Sequence, residues 1–448
     1  MNINPSKGDV MKTTALQSVT KTKLNRILWL SQQNKEILFN NLMNIFNVES
    51  LRECFNALDG KKAVGIDGVK KEDYAKDLDS NLQMLVKRIH EMGYRPNPVR
   101  EVLIPKEGKP GGTRPLGISN FEDKIFQMMV QKTLENIYEP LFLECSYGFR
   151  PGKSCHDAIE ALSKHLYENE IQVVIDIDLR NFFGTIDHKE LETQLREKIS
   201  DSRFLRYINR MFKAGVLSEG DLKMSDQGVP QGSLCSPILS NIFGHHVIDL
   251  WFEEIVKLHS KGKVALFRYA DDVVICCQYE GDALRIRTAL AKRLEKFKLE
   301  LNEEKTKLVR FDKNQARCGV KQETFDFLGF TFYWGESSGG YTIPKLKTKA
   351  KTMKSKLNSM TQWFKEIRHK EKLKEIWKLF CSKIRGHVQY YGVSYNTASV
   401  QNFIFRSTKI AFKWINRRSQ RKSFSWGKFK LFMDKHPLPR ARVTHPLF

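Results

Sequence analysis

A chain of 448 residues exceeds one ordinary core and points to several domains, with 41% hydrophobic residues to pack them. Lys and Arg number 75 against 51 Asp and Glu, leaving a formal charge of +24. An excess of that size reads first as a surface for nucleic acid, ahead of a membrane-surface binder or a merely soluble basic protein.

Residues 1–21 are polar, with no apolar run suited to a signal peptide. From Lys23 to about Leu58, Ile27, Leu28, Leu38, Leu42, Ile45 and Phe46 recur at three- and four-residue steps, which predicts helix. Gly65-Ile66-Asp67-Gly68 punctuates the chain, and a second helical pattern runs from Leu78 to Met92. Val99 to Pro105 reads as extended. The Gly/Pro-rich run after it carries Lys106, Lys109 and Arg114 and leads into Pro115-Leu116-Gly117-Ile118, the pattern of a β-hairpin.

Ile171 to Ile177 is dense in Val and Ile, is interrupted by Asp176, and reads as a buried strand. Val264–Phe267 and Val273–Cys277 predict a strand pair joined through Tyr269-Ala270-Asp271-Asp272. From Lys345 onward the pattern turns helical and basic. Leu373, Ile376, Trp377 and Phe380 form one apolar stripe, with Lys372, Lys374, Lys378 and Lys383 around it, though a solvated face explains about half of these lysines. No stretch is long and apolar enough for a membrane span. None of the eight cysteines forms a C-x-x-C pair, so neither a zinc site nor a disulfide framework is expected, and a cytoplasmic setting with reduced thiols fits.

Two acidic clusters sit on predicted strands: Asp178 in Val-Ile-Asp-Ile-Asp-Leu-Arg, and Asp271-Asp272 between apolar strands. Adjacent carboxylates at the tip of an apolar hairpin repel each other unless something compensates. Divalent cations do so, because Mg²⁺ takes a few carboxylates together with phosphate oxygens and water. Alone the pair says little, since most such pairs are solvated turn residues.

The surrounding motifs change that. Tyr269-Ala270-Asp271-Asp272 resembles the Y-A-D-D box of group II intron reverse transcriptases. In the same order, Gly65-Ile66-Asp67-Gly68, Arg114-Pro115-Leu116-Gly117-Ile118 and the line from Asp178 to His188 resemble that family's boxes. Gly228-Val-Pro-Gln-Gly-Ser-Leu-Cys-Ser-Pro-Ile-Leu-Ser-Asn241 matches its G-x-P-Q-G signature. Leu301 to Lys307 and Phe325 to Phe330 resemble the end of its polymerase core, and Arg385 to Gly392 the end of its maturase domain. The chain is thus similar to a bacterial group II intron reverse transcriptase/maturase over residues 60 to 335, and more loosely beyond.

The resemblance implies an α+β right-hand polymerase: fingers, an antiparallel-sheet palm, then an all-helical thumb or maturase domain. The expected divisions are an N-terminal helical extension (1–60), fingers with part of the palm (61–170), palm (171–340), thumb (341–400) and a basic C-terminal tail (401–448). It implies RNA-directed DNA polymerisation with two Mg²⁺ ions, or Mn²⁺, held by Asp178, Asp271 and Asp272. Lys106 and Arg114 are expected to donate to the dNTP triphosphate. Gln231 is expected to hydrogen-bond near the incoming nucleotide or template, with Gly228 to Gly232 letting the backbone approach it. Phe183 resembles the residue that excludes a ribose 2′-hydroxyl, although a buried Phe is more often plain core. Lys305 is read either as the acid that protonates the leaving pyrophosphate or as an exposed lysine. Asp176, two residues before Asp178 on the same strand face, is a helper at most.

Expected partners are an RNA template with a DNA primer, the group II intron RNA whose splicing the protein assists, and a DNA target, in a nucleoid-associated setting without membrane. Arg385, Arg417, Arg418 and Arg421 are expected at the RNA, with interleaved aromatic residues stacking on it. The tail resembles those of family members without an H-N-H endonuclease, which puts second-strand DNA cleavage in doubt. Two alternatives stay open: a relative recruited by the host for DNA repair or phage defence, and an RNA-binding maturase with a relict polymerase.

Overall fold

The computed structural model describes residues 21–105, 112–218, 221–229, 232–418 and 425–447. The helical stretch expected before Leu58 is interrupted. A helix over 21–33 gives way to an extended piece in which Phe39 donates to the Lys198 carbonyl (2.8 Å) and accepts from the Ser200 amide (2.9 Å). Asn41, in the left-handed region at φ 59°, then starts a short 3₁₀ turn, Leu42–Ile45, before helix α1, Val48–Ala57. Consecutive Asn40 and Asn41 tolerate that conformation and break the periodicity that the apolar spacing suggested. Helix α2 is Leu78–His90.

Strands β1 (Val99–Pro105) and β2 (Thr113–Ile118) form the expected antiparallel hairpin, with Val102 opposite Leu116. Helices α3 (Phe121–Tyr138) and α4 (Cys155–Glu168) lead to strand β3 (Val173–Asp178), helices α5 (His188–Arg196) and α6 (Ser202–Phe212), and strands β4 (Val216–Ser218) and β5 (Asp221–Lys223). Strand β4 pairs parallel to β1, giving a sheet of order β2-β1-β4-β5. Helix α7, Ser236–Gly244, continues through two π-helical turns, His245–Asp249 and Phe252–Val256. Strands β6 (Val264–Tyr269) and β7 (Asp272–Cys277), helix α8 (Glu280–Lys296) and strand β8 (Lys307–Arg310) complete a second sheet, β6-β7-β3-β8, antiparallel throughout. A third antiparallel sheet holds β9 (Phe325–Phe327), β10 (Phe330–Glu336) and β11 (Thr342–Thr348). Helices α9 (Ala350–Ile367), α10 (Leu373–Tyr391), α11 (Thr397–Ile415) and α12 (Trp426–Lys435) follow. The mixed α and β content with antiparallel sheets agrees with the expected class.

The second sheet is buried on both faces, and the two-residue period of a strand sorts its side chains between two cores. Val173, Ile175 and Ile177 of β3 join Val273, Ile275 and Cys277 of β7 in one core, with Ile286, Leu290 and Leu294 of α8. Val174, Val274 and Cys276 point the other way, into a core shared with Ile159, Leu162 and Leu166 of α4 and with the third sheet and final helices. Asp176 and Asp178 alternate with Ile175 and Ile177 and therefore share Val174's face; Asp272 likewise shares the face of Val274.

Three expectations about the C-terminal part change. Residues 342–348 are a strand rather than the start of a helical region, because Thr342 to Thr348 pair along the whole of β10; helix begins only at Ala350. The boundary expected at residue 400 falls inside α11, and residues 425–447 of the expected basic tail are folded. Phe429 is fully buried, and the Thr444 and His445 amides donate to the Gly392 carbonyl at 2.6 and 3.0 Å. The aromatic residues expected to stack on RNA are largely core: Trp377, Tyr391 and Trp414 are 5%, 4% and 7% exposed, and the Trp377 indole donates to the His436 carbonyl. All eight cysteines are free thiols, and no helix among the described residues is long and apolar enough to cross a membrane.

Candidate active site

Strands β6 and β7 are joined by the two-residue turn Ala270-Asp271, with Tyr269 opposite Asp272. On the other side of β7, Asp272 stands directly opposite Asp178, the last residue of β3. Side chains so opposed lie ~4.5–5.5 Å apart at Cβ, and like charges there destabilise the pair. The sheet thus ends in two facing carboxylates, with a third, Asp271, on the adjoining turn. Asp271 and Asp272 are solvent-exposed, yet desolvation by nearby protein, then Asp271 and Asp176, push the Asp272 carboxyl up to about 6. Burial, with Asp326 beside it, pushes Asp176 up to about 6, and Asp271 is raised by desolvation and by Asp178.

Asp178 is held from the segment that follows α8. Its Oδ2 accepts from Asn302 Nδ2 at 2.8 Å and from Lys305 Nζ at 2.9 Å, and its carbonyl accepts the Asn302 amide at 2.9 Å. Lys305, read earlier as either an acid or a solvated lysine, is therefore the ion-pair partner of Asp178. A cavity of about 370 Å³ opens here, lined by Asp176, Asp178, Asp272, Glu304, Lys305 and Lys349 among others. Lys349, which no motif flagged, pairs with Asp326 at 3.1 Å.

Among the described residues no three acidic, His or Cys side chains are gathered closely enough to cage an ion unaided. The donor set nonetheless fits a hard divalent cation. Mg²⁺ typically takes one or two carboxylates and completes its shell with water and substrate phosphates, and facing carboxylates are what such an ion neutralises.

Residues that the sequence reading did not single out hold the turn in place. Arg268, fully buried in β6, forms a bidentate pair with buried Asp249: Nε to Oδ1 at 2.7 Å and Nη2 to Oδ2 at 2.5 Å. Its remaining hydrogens reach Ser146 Oγ (2.8 Å), Asn241 Oδ1 (3.3 Å) and the carbonyl of Ala270 (3.3 Å). Asn241 in turn donates to the Gly148 carbonyl at 2.6 Å. Asn241, the last residue of the G-x-P-Q-G signature, is thus tied to the Tyr-Ala-Asp-Asp turn through one guanidinium. A charged residue at full burial was legible only as the unusual arginine inside an otherwise apolar strand.

The glycines of that signature also take part in packing within the chain. Gly228 and Gly232 have φ values of 91° and 105°, and a Cβ on either would meet backbone of this chain: the Gly184 carbonyl at 3.0 Å and the Gly117 carbonyl at 2.6 Å. Their bareness serves internal packing of three motifs. The Gly228 amide donates to Ile186 and the Val229 amide to Phe183, both at 2.8 Å, which fixes the backbone at Phe183. The Phe183 ring is half-buried and meets Phe182 edge-on.

Arg114 lies exposed on β2, opposite Ile104, in the first sheet. Lys106, Gln231 and Arg421 lie outside the described residues. Arg385 is exposed on α10. Arg417 lies over the Trp414 ring at 5.2 Å, and Arg418 donates to the Glu371 carbonyl at 2.8 Å.

Residues 104–332, half of the chain, match the family model described as reverse transcriptase (RNA-dependent DNA polymerase). The chain belongs to that family. Among its curated relatives is protein YkfC of Escherichia coli (strain K12), 35% identical over 279 residues, which cover 56% of this chain and 73% of that protein. The group II intron-encoded protein LtrA of Lactococcus lactis subsp. cremoris is 30% identical over 229 residues, 51% of this chain and 38% of that one. The putative COX1/OXI3 intron 1 protein of Saccharomyces cerevisiae is 34% identical over 243 residues, 53% and 28% of the two chains. The similarity places the chain with the group II intron type of reverse transcriptase/maturase, although it spans well under half the length of the two intron proteins.

Proposed function

We propose that this chain extends a DNA primer on an RNA template, with Asp178, Asp271 and Asp272 as the carboxylates that hold Mg²⁺. The observation that carries this is the register of β3 and β7, which sets Asp178 opposite Asp272 with Asp271 on the adjoining turn. When bound, two such ions supply neutralisation of the attacking 3′-oxygen and the leaving pyrophosphate. Asn302 and Lys305 orient Asp178, and Lys305, which lines the same cavity, offers a proton or a charge to a departing phosphate. Arg114 and Lys106 receive the triphosphate, Phe183 packs against the sugar, and Gln231 hydrogen-bonds beside it.

In this reading the β6-β7-β3-β8 sheet is the palm, the β2-β1-β4-β5 sheet belongs to the fingers, and α9 to α12 form the thumb or maturase domain. Its basic exterior, including Arg385 and Arg417, binds a group II intron RNA, assists splicing and delivers the intron to a DNA target. The names of the relatives and the net charge of +24 support that partner. The test is primer extension by the purified chain on an RNA template with dNTPs and Mg²⁺. Extension that EDTA abolishes and Mg²⁺ restores is expected; no extension on any RNA template would overturn the proposal.

A further inference from the structure

A second cavity, of about 270 Å³, opens between α9, α10 and α11, and nothing in the polymerase reading uses it. That volume lies near the lower end of small-ligand sites, roughly 300–1,000 Å³. Its chemistry is one-sided. Lys356 of α9 and Lys383 of α10 are its charged lining, Ser359 adds a hydroxyl, and among the described residues no carboxylate lines it. Neither lysine forms an ion pair among the described residues; they lie over the rings of Tyr391 (5.6 Å) and Trp363 (5.0 Å).

His387 also lines this cavity. It is 5% exposed, its ring stacks on Phe403 with centroids 3.6 Å apart, and neither ring nitrogen has a hydrogen-bond partner among the described residues. Burying such a group without a partner is costly, and burial, then Lys356, push its pKa down to about 3. The imidazole is therefore neutral and keeps one donor and one acceptor. Unpaired cations, aromatic walls and an unused donor–acceptor pair match the phosphate, the flat face and the edge of a nucleotide. Gly386 leaves the space open, because a Cβ there meets nothing within 4 Å.

We propose that this cavity receives one unpaired nucleotide of the bound RNA, its phosphate between Lys356 and Lys383 and its base beside Tyr390 and His387. The site rests on the RNA-binding reading above and adds to it a place and a preference for extrahelical nucleotides. It also adjoins the polymerase site. Tyr390 donates its hydroxyl to the Leu328 carbonyl at 3.0 Å, and Leu328 lines the carboxylate cavity. The Tyr390–Leu328 contact thus joins the linings of the two cavities.

The test uses the full chain and two RNA hairpins, one with a single bulged 2-aminopurine and one fully paired. The wild type should bind the bulged RNA about tenfold more tightly and quench its fluorescence. Gly386→Leu, which fills the cavity, should erase that preference and the quenching while leaving paired-RNA affinity within twofold. Lys383→Glu, on an exposed position, should reduce the bulged-to-paired ratio severalfold and covers the case in which the leucine variant fails to fold. A folded Gly386→Leu protein that keeps both preference and quenching overturns the proposal, as does a wild type that binds both hairpins equally while still binding RNA. Failure to bind either hairpin overturns the RNA-binding reading itself, and this site with it.

Discussion

Ala270 occupies the left-handed region at φ 57°, where a residue with a Cβ costs ~1–2 kcal/mol. The neighbours that impose it are specific: Arg268 binds its carbonyl, and Gly148 packs so tightly that a Cβ there would run into the Ala270 nitrogen. Gly148→Ala should therefore displace the Asp271-Asp272 turn. The expected result is a kcat for primer extension lowered at least tenfold with RNA affinity unchanged; an unchanged kcat would show that the turn tolerates displacement. Phe183 sits with its backbone fixed by Val229 and its ring half-exposed, a geometry suited to meeting a sugar. Phe183→Val should raise incorporation of rNTPs relative to dNTPs by an order of magnitude or more. An unchanged ratio in a stable variant would reduce the residue to packing. At this scale the carboxylates were legible because they stand inside an ordered set of motifs, not because an acidic pair is telling by itself. The roles of Arg268 and Gly148 were not, because contacts such as Arg268 with Ser146 and Gly148 with Ala270 join segments far apart in the chain.

Among elements, strands and helices with a clear period were legible: β3, β6, β7, α2 and the hairpin of β1 and β2 fall where the spacing predicts them. The sheet order was not, since β3 pairs with β7 and β8 across long connections whose lengths carry no pairing information. The aromatic and basic interleaving of α10 and α11 misled for a physical reason. Helices that pack on three neighbours bury their aromatic rings and leave only the lysine and arginine heads in water. Trp377→Ala should thus cost ~3–5 kcal/mol, read as a lower guanidinium chloride midpoint. An RNA-affinity loss without a stability loss would return Trp377 to a stacking role. The buried pair between β6 and the π turn of Asp249 invites a similar measurement. Asp249→Ala strands the Arg268 charge and should cost ~3–5 kcal/mol, whereas Arg268→Met with Asp249→Leu should recover much of it. A double variant as unstable as the single one would mean that the guanidinium's bonds to Ala270, Ser146 and Asn241 matter more than its charge.

For the whole molecule, the proposed function gives the net charge of +24 to holding a polyanion and the facing carboxylates to holding metal ions, two separate tasks. If the exterior neutralises several phosphates, RNA affinity should fall steeply with salt, roughly 10³–10⁵-fold between 50 and 200 mM for six to ten contacts. A flat salt response would remove the electrostatic basis of the RNA-binding proposal. Charge reversal at Arg385 and Arg417 should weaken binding of a folded intron RNA more than extension of a short primer-template; equal losses would mean one continuous binding surface. Arg418 is a poorer choice for that experiment because it also bonds the Glu371 carbonyl. The separation of tasks is tested most directly by measuring, for Asp178→Asn and Asp271→Asn, the rate of Mg²⁺-dependent primer extension alongside the affinity for RNA. Extension should fall by several orders of magnitude with RNA affinity within about twofold of wild type. Substantial Mg²⁺-dependent extension by either folded variant would contradict the assignment of the carboxylates.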